Sequence, residues 1–152
     1  MKKLKLVIEE YTRHLIRHSR KLRVFRIIQE LIIDSVMEQT YTVQHGSEQI
    51  IFSTPNKLAR FRAATFSDKE PETLKWIDSF FPASVLWDIG ANVGLYSIYA
   101  AMKGMQVMAF EPSMLNLELL GRNICLNRLE NDIVILPFAL NDRTVVSMMN
   151  IG

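Results

Sequence analysis

Two carboxylates 23 residues apart, each closing an apolar run, are the residues of this chain best placed to do chemistry. Asp88 ends Val85-Leu86-Trp87 and opens Ile89-Gly90-Ala91-Asn92-Val93-Gly94; Glu111 follows Phe110 and precedes Pro112-Ser113. Gly90 and Gly94 let the backbone bend sharply and approach a ligand closely, and a helix N-terminus with free N–H groups follows them. Spacing decides which ligand. The dinucleotide fingerprint G-x-G-x-x-G needs glycines where Asn92 and Leu95 stand, and no Gly-Lys-Ser/Thr run of a phosphate loop occurs. A carboxylate at Asp88 repels phosphate and suits an ammonium or sulfonium group, which argues against NAD. Glu111, at the end of a second strand, stands where a carboxylate accepts both ribose hydroxyls in nucleotide-binding βαβ units. The ligand implied has a ribose, no phosphate and a cationic amino-acid tail, a description that S-adenosylmethionine meets.

The elements that must position these residues alternate strictly from residue 84 onward. The pattern predicts strand 85–88, helix 94–103 closed by Gly104, strand 106–110, helix 114–127 with Ser113 as N-cap, and strand 133–136. Strands alternating with helices make an α/β fold with a parallel sheet, and right-handed crossovers order the three strands 3-2-1. Ligands on such sheets sit at the carboxyl ends of the strands, where Asp88 and Glu111 both fall. Upstream, Tyr41-Thr42-Val43-Gln44 and Gln49-Ile50-Ile51-Phe52 flank His45-Gly46-Ser47-Glu48 as a β-hairpin, with Thr54-Pro55-Asn56 as the turn after it. A helix is expected from Pro71, with Glu70 and Glu72 at its start, through Leu74, Trp76 and Ile77, ending by Pro82. Residues 4–37 follow helical spacing through Leu4, Ile8, Tyr11, Leu15, Leu22, Phe25, Ile32 and Val36, with His18 and Gln29 between and a break expected near Ser19. Three segments result: a basic amphipathic stretch over 1–40, a hairpin and helix over 41–83, and a ligand-binding domain over 84–152.

The motif Asp88-Ile89-Gly90-Ala91-Asn92-Val93-Gly94-Leu95-Tyr96-Ser97, followed by Ala109-Phe110-Glu111-Pro112-Ser113, resembles the FkbM-type family of S-adenosylmethionine-dependent methyltransferases. Arg122-Asn123-Ile124, Leu126-Asn127, Pro137-Phe138-Ala139-Leu140-Asn141-Asp142 and the upstream Lys69-Glu70-Pro71-Glu72-Thr73-Leu74-Lys75-Trp76-Ile77-Asp78-Ser79-Phe80 carry the same resemblance, which spans about 54–142. It implies a Rossmann-like class I methyltransferase fold acting on hydroxyls of sugars, glycans or polyketide-like molecules. By position, Asp88, Gly90, Ala91, Asn92 and Gly94 would form the loop at the methionine end of S-adenosyl-L-methionine. Glu111 would bind the ribose, Pro112 and Ser113 would flank the adenine, and Asn141 or Asp142 would approach its amino group. No residue is singled out as the base for the acceptor hydroxyl.

Composition fits a soluble globular protein, with 49% apolar and 22% charged residues. The net charge of +2 is uneven: residues 1–28 hold nine Lys/Arg against Glu9 and Glu10, and the remainder is acidic. That basic helix suits docking on a domain or partner subunit, or an anionic membrane surface; no recognised nucleic-acid motif accompanies it. A lone cysteine, Cys125, fits a reducing, cytoplasmic compartment and is expected to be a small buried residue. His14 and His18 lack a third ligand in reach, so no metal is expected. Met102, Met105 and Met108 are expected in the core, and Gly121 at a close helix–sheet contact. The chain stops at Gly152 after three strands, so the fold is expected to be truncated, with its first strand apolar enough for cover on both faces. Two functions stay open: the cofactor-binding half of an O-methyltransferase, and a non-catalytic module that needs a partner to complete its sheet.

Overall fold

A computed structural model of the chain describes residues 2–19, 23–143 and 145. It divides into two compact units, Met1–Glu38 and Gln39–Gly152. The first holds helices α1 (Lys2–Ser19) and α2 (Arg23–Met37), and the break expected near Ser19 falls on residues 20–22, outside the described residues. Leu6, Ile8, Tyr11 and Leu15 on α1, and Phe25, Ile28, Leu31 and Ile32 on α2, are all exposed. The side chains of Leu4, His18 and Leu22 lie outside the described residues. Among the described residues no helix is long and apolar enough to cross a membrane.

The second unit opens with an antiparallel hairpin, β1 (Thr40–His45) and β2 (Glu48–Ser53), in which Val43 faces Ile50 across a Gly46-Ser47 turn. Three short helices follow: α3 (Lys57–Ala64), α4 (Phe66–Lys69) and α5 (Pro71–Asp78). Only α5 is expected from the sequence. The stretch that forms α3 hides only Ala59 and Ala63, too small to print an amphipathic pattern, and its start is fixed by Asn56, whose side chain accepts from the Ala59 N–H at 2.9 Å.

The remaining elements run β3 (Val85–Ile89), α6 (Leu95–Met102), β4 (Gln106–Phe110), α7 (Met114–Leu126) and β5 (Ile133–Leu136). The strands form a parallel sheet in the order β3-β4-β5, with Asp88 beside Ala109 and Phe110 beside Leu136. The fold is therefore α/β, a partial Rossmann-like sheet preceded by helices and a hairpin. One core runs through both the hairpin and the sheet: Ile50 and Phe52 pack with Phe66, Leu74, Ile77, Ile98, Tyr99, Val107 and Leu120. Two asparagines of α7 fasten β2 to this core. Asn123 accepts the Ser53 N–H at 2.7 Å and donates to the Val93 carbonyl at 2.7 Å, tying the hairpin to the loop after β3. Asn127 accepts from the Ile51 N–H at 3.0 Å and donates to the Ile51 carbonyl at 2.8 Å, as a neighbouring strand would.

Several expectations need correction. Strand β3 is covered on one face only: Leu86 is buried, whereas Val85, Trp87 and Ile89 are 63%, 57% and 64% exposed. Ile98 of α6 and Leu120 of α7 share one core with Leu86, Val107 and Ile133, so both helices cover the same face of the sheet, as right-handed crossovers would have it. The face of Val85, Trp87 and Ile89 is bare among the described residues. Cys125 is exposed, because α7 turns Leu119, Leu120, Asn123 and Ile124 inward. A Cβ at Gly121 would meet nothing within 4 Å, so that glycine serves no close contact. Ser113 is the N-cap of α7, as expected, but its side chain makes no capping hydrogen bond. Of the three methionines, Met105 is fully buried and Met102 packs against the core, while Met108 is half-buried.

Candidate functional site

The β3–α6 loop owes its shape to three residues with left-handed backbone, Gly90 (φ +84°), Asn92 (φ +56°) and Gly94 (φ +83°). The Gly90 and Ala91 N–H groups both donate to the Phe110 carbonyl at 2.9 Å, folding the loop back over the end of β4. Gly94 has a second reason to be glycine: a Cβ there would run into the Leu120 side chain. Gly90 has none, and the space beside its Cα is open.

Glu111, 5% exposed, is the hub of the site. Its Oε2 accepts the Asn92 N–H at 2.8 Å, and its Oε1 accepts the Ser113 N–H at 2.8 Å and the Asn116 amide at 3.3 Å. One carboxylate thus joins the loop after β3 to the loop after β4. The two carboxylates noticed in the sequence are brought to the same end of the sheet, but in different states. Asp88 accepts from the Ser97 hydroxyl on Oδ2 and from the Ser97 backbone N–H, and no cation pairs with it among the described residues. Burial raises its pKa above the ordinary carboxylate value, against the lowering effect of Ser97 and with a smaller push from Glu111.

Beside this loop lies a cavity of about 320 Å³. Asp88, Gly90, Ala91 and Asn92 form one wall; Arg62, Thr65, Phe66, Lys69 and Glu70, from α3, α4 and the residue after them, form the other, with Tyr96 between. The Oδ1 of Asn92 is buried with no hydrogen-bond partner. A buried acceptor left bare is costly, and at the mouth of a cavity it is what a ligand donor would satisfy. The second wall is held by Phe66, which stacks against Phe52, Tyr96 and Tyr99 with ring centroids 5.9, 6.3 and 5.8 Å away. Burial, then the nearby carboxylates of Glu70, Glu72 and Asp88, raise the Tyr96 phenol well above its usual pKa, so it stays protonated at neutral pH.

Of the residues singled out in the sequence, Asp88, Gly90, Ala91 and Asn92 line the cavity. Gly94 starts α6, and Glu111 and Ser113 brace the loop from behind. Asn141 and Asp142 are exposed and line no part of the cavity. Sequence reasoning missed the second wall, Arg62 and Thr65 above all. The signal available was Asn56 followed three residues later by the helix-forming run that holds them.

No known protein-family profile matches this chain, and no curated protein matches it. Among solved structures, it is similar to an S-adenosylmethionine-dependent methyltransferase from Agrobacterium tumefaciens, with 16% identity and a TM-score of 0.48 over 64% of this chain and 32% of that one. It is also similar to P. horikoshii TYW2 in complex with MeSAdo, with 17% identity and a TM-score of 0.47 over 66% of this chain and 36% of that one. A third likeness is to the M. jannaschii tRNA m1G37 methyltransferase, with 22% identity and a TM-score of 0.43 over 64% and 28%. These are distant likenesses of fold, and the chain spans about a third of the length of the structures it matches.

Proposed function

We propose that this chain carries the S-adenosylmethionine-binding part of an FkbM-type O-methyltransferase, whose acceptor is a hydroxyl on a sugar, a glycan or a small molecule. The observation that carries the cofactor assignment is the pairing of a carboxylate that gathers donors from two loops, Glu111, with one that has no cation, Asp88, across a glycine loop that ends in a cavity. The residues present fit the group. Asp88 lacks a cation, the Asn92 acceptor lacks a donor, and the space at Gly90 is free of side chains. Asp88, Gly90, Ala91 and Asn92 would hold the amino-acid end, and Gly94 would fix the turn. Glu111 would take a ribose hydroxyl on the Oε2 lone pair that its N–H donors leave over, with Pro112 and Ser113 beside the base. Bound there, the cofactor supplies a methyl carbon on a positively charged sulfur. The protein's contribution is to orient that carbon and keep water from it. Tyr96 keeps its proton and is not the base for the acceptor. The acceptor class rests on the sequence resemblance.

A second reading is favoured by the bare face and open edge of β3, which offer unpaired backbone groups and the exposed side chains of Trp87, Val85 and Ile89 to another chain. On it, the chain is a non-catalytic module whose sheet a partner completes. Calorimetric titration with S-adenosylhomocysteine and with NAD separates the readings. Binding of the former alone, weakened about 10- to 100-fold in Glu111→Ala through loss of a charge-assisted ribose bond and of the loop bracing, supports the methyltransferase. Binding of NAD, or of neither nucleotide while sedimentation shows concentration-dependent assembly, rejects it.

A further inference from the structure

The cavity holds two ionic groups that have not found partners within the protein. Asp88, on the loop wall, accepts only from neutral donors, the hydroxyl and the backbone N–H of Ser97. Arg62, half-buried on α3, makes no hydrogen bond or ion pair through its guanidinium among the described residues, although it lines the same cavity. The other cation there, Lys69, is exposed and already lies 3.7 Å from Glu70. Thr65 donates its hydroxyl to the Phe61 carbonyl at 2.8 Å and has no proton left to offer. Desolvated charges in a stable protein are ordinarily paired. An anion and a cation facing one cavity from opposite walls, each unpaired, match the two ends of a free α-amino acid group, ammonium toward Asp88 and carboxylate toward Arg62.

We infer that Arg62 is the carboxylate-binding residue for the amino-acid tail of the ligand, and that the α3 wall exists to present it. This rests on the S-adenosylmethionine reading and adds a specificity to it: a nucleoside whose tail lacks the carboxylate is discriminated against. A guanidinium suits the task because its planar fork of donors meets both carboxylate oxygens at once. It is held by packing, since α3 buries Ala59 and Ala63 and is followed directly by the anchored Phe66. Its neighbour Arg60 turns the other way, with its guanidinium 5.3 Å from the centre of the Tyr41 ring.

The test compares S-adenosylmethionine with decarboxylated S-adenosylmethionine, by titration calorimetry on the full chain, in the native protein and in Arg62→Ala and Arg62→Lys. The native protein is expected to prefer the intact ligand. Arg62→Ala should weaken the intact ligand about 10- to 100-fold and leave the decarboxylated one unchanged, so that the preference vanishes. Arg62→Lys, which keeps the charge and loses the fork, should retain part of it, and guards against a folding defect in the alanine variant. Equal weakening of both ligands, or of neither, overturns the inference while leaving the methyltransferase reading intact. Failure of the native protein to bind either nucleoside overturns both.

Discussion

The two walls of the cavity are built by different means. The loop wall is made of backbone: three residues in left-handed conformation, paired N–H groups on one carbonyl, and one carboxylate that gathers donors from two loops. The α3–α4 wall is made of side chains carried on helices of eight and four residues, held to the core by alanines and one phenylalanine. A wall of the first kind tolerates almost no substitution, because each residue type is dictated by a φ angle or a strand end. The second kind can change its exposed residues freely and so can set which tail the cavity accepts. The difference suggests a division of labour in which the loop fixes where a ligand sits and the helices decide which ligand it is.

The sharpest way to break the contrast is Gly94→Ala set beside Gly90→Ala. Both glycines have nearly the same left-handed φ, +83° and +84°, so the backbone strain of adding a Cβ is shared. They differ in surroundings, because Leu120 stands against Gly94 and is itself fully buried, with nowhere to turn. Urea denaturation is expected to show a loss of about 1–2 kcal/mol for Gly90→Ala and about 2–4 kcal/mol for Gly94→Ala, the excess being overpacking. Equal losses would mean that Leu120 yields and that α7 does not brace the loop.

These two glycines also show what was legible in the sequence. Asp88, Gly90, Asn92, Gly94 and Glu111 could be placed at one end of a parallel sheet because strand ends and left-handed turns leave marks in residue type. Strands β4 and β5 emerged with the boundaries expected of them, 106–110 and 133–136. Arg62 could not be placed, since a helix that buries only Ala59 and Ala63 gives no periodic apolar signal, and an arginine on it looks like any solvated charge. The misreading of Cys125 and Gly121 has a related cause. The turn of α7 toward the core is set by Asn123, 1% exposed, a polar residue inside, which no hydrophobic pattern anticipates. Asn141 and Asp142 were assigned by resemblance alone, and the structure leaves both in solvent.

The α3 wall has its own weak point at Asn56. Its side chain caps the helix through the Ala59 N–H, so Asn56→Ala should cost about 1 kcal/mol in global stability. The more telling readout is local. Amide hydrogen exchange should quicken at Ala59 and Arg60 and stay unchanged in β3 and β4, since the helix can fray without the sheet opening. Gly94→Ala should instead shift protected amides of the whole unit together. If Asn56→Ala also speeds exchange in the sheet, the two walls fold as one, and their separate roles lose their physical basis.

The smallest expected effect discriminates best between the walls, and it depends on pH. Burial raises the Asp88 pKa in the folded protein, so folding makes the ionised carboxylate less comfortable than it is in the unfolded chain. The sign follows. Well below the ordinary value of 3.8, Asp88 is protonated in both states and contributes nothing. As pH rises through 3.8 and then the raised folded value, the unfolded chain releases its proton first, and the folded state bears a penalty that is complete at neutral pH. Asp88→Asn, which can still accept from Ser97, should therefore be slightly more stable than the native protein in neutral buffer, with the gap closing as pH falls through the raised folded value to 3.8. Addition of S-adenosylhomocysteine should reverse the order, because only the native carboxylate gains from the ligand's ammonium. A variant less stable than the native protein at neutral pH without ligand would show that Asp88 already has a cation. Arg62, which lines the same cavity, is the candidate, and the two walls would then be joined by an ion pair in place of being held apart for a zwitterion.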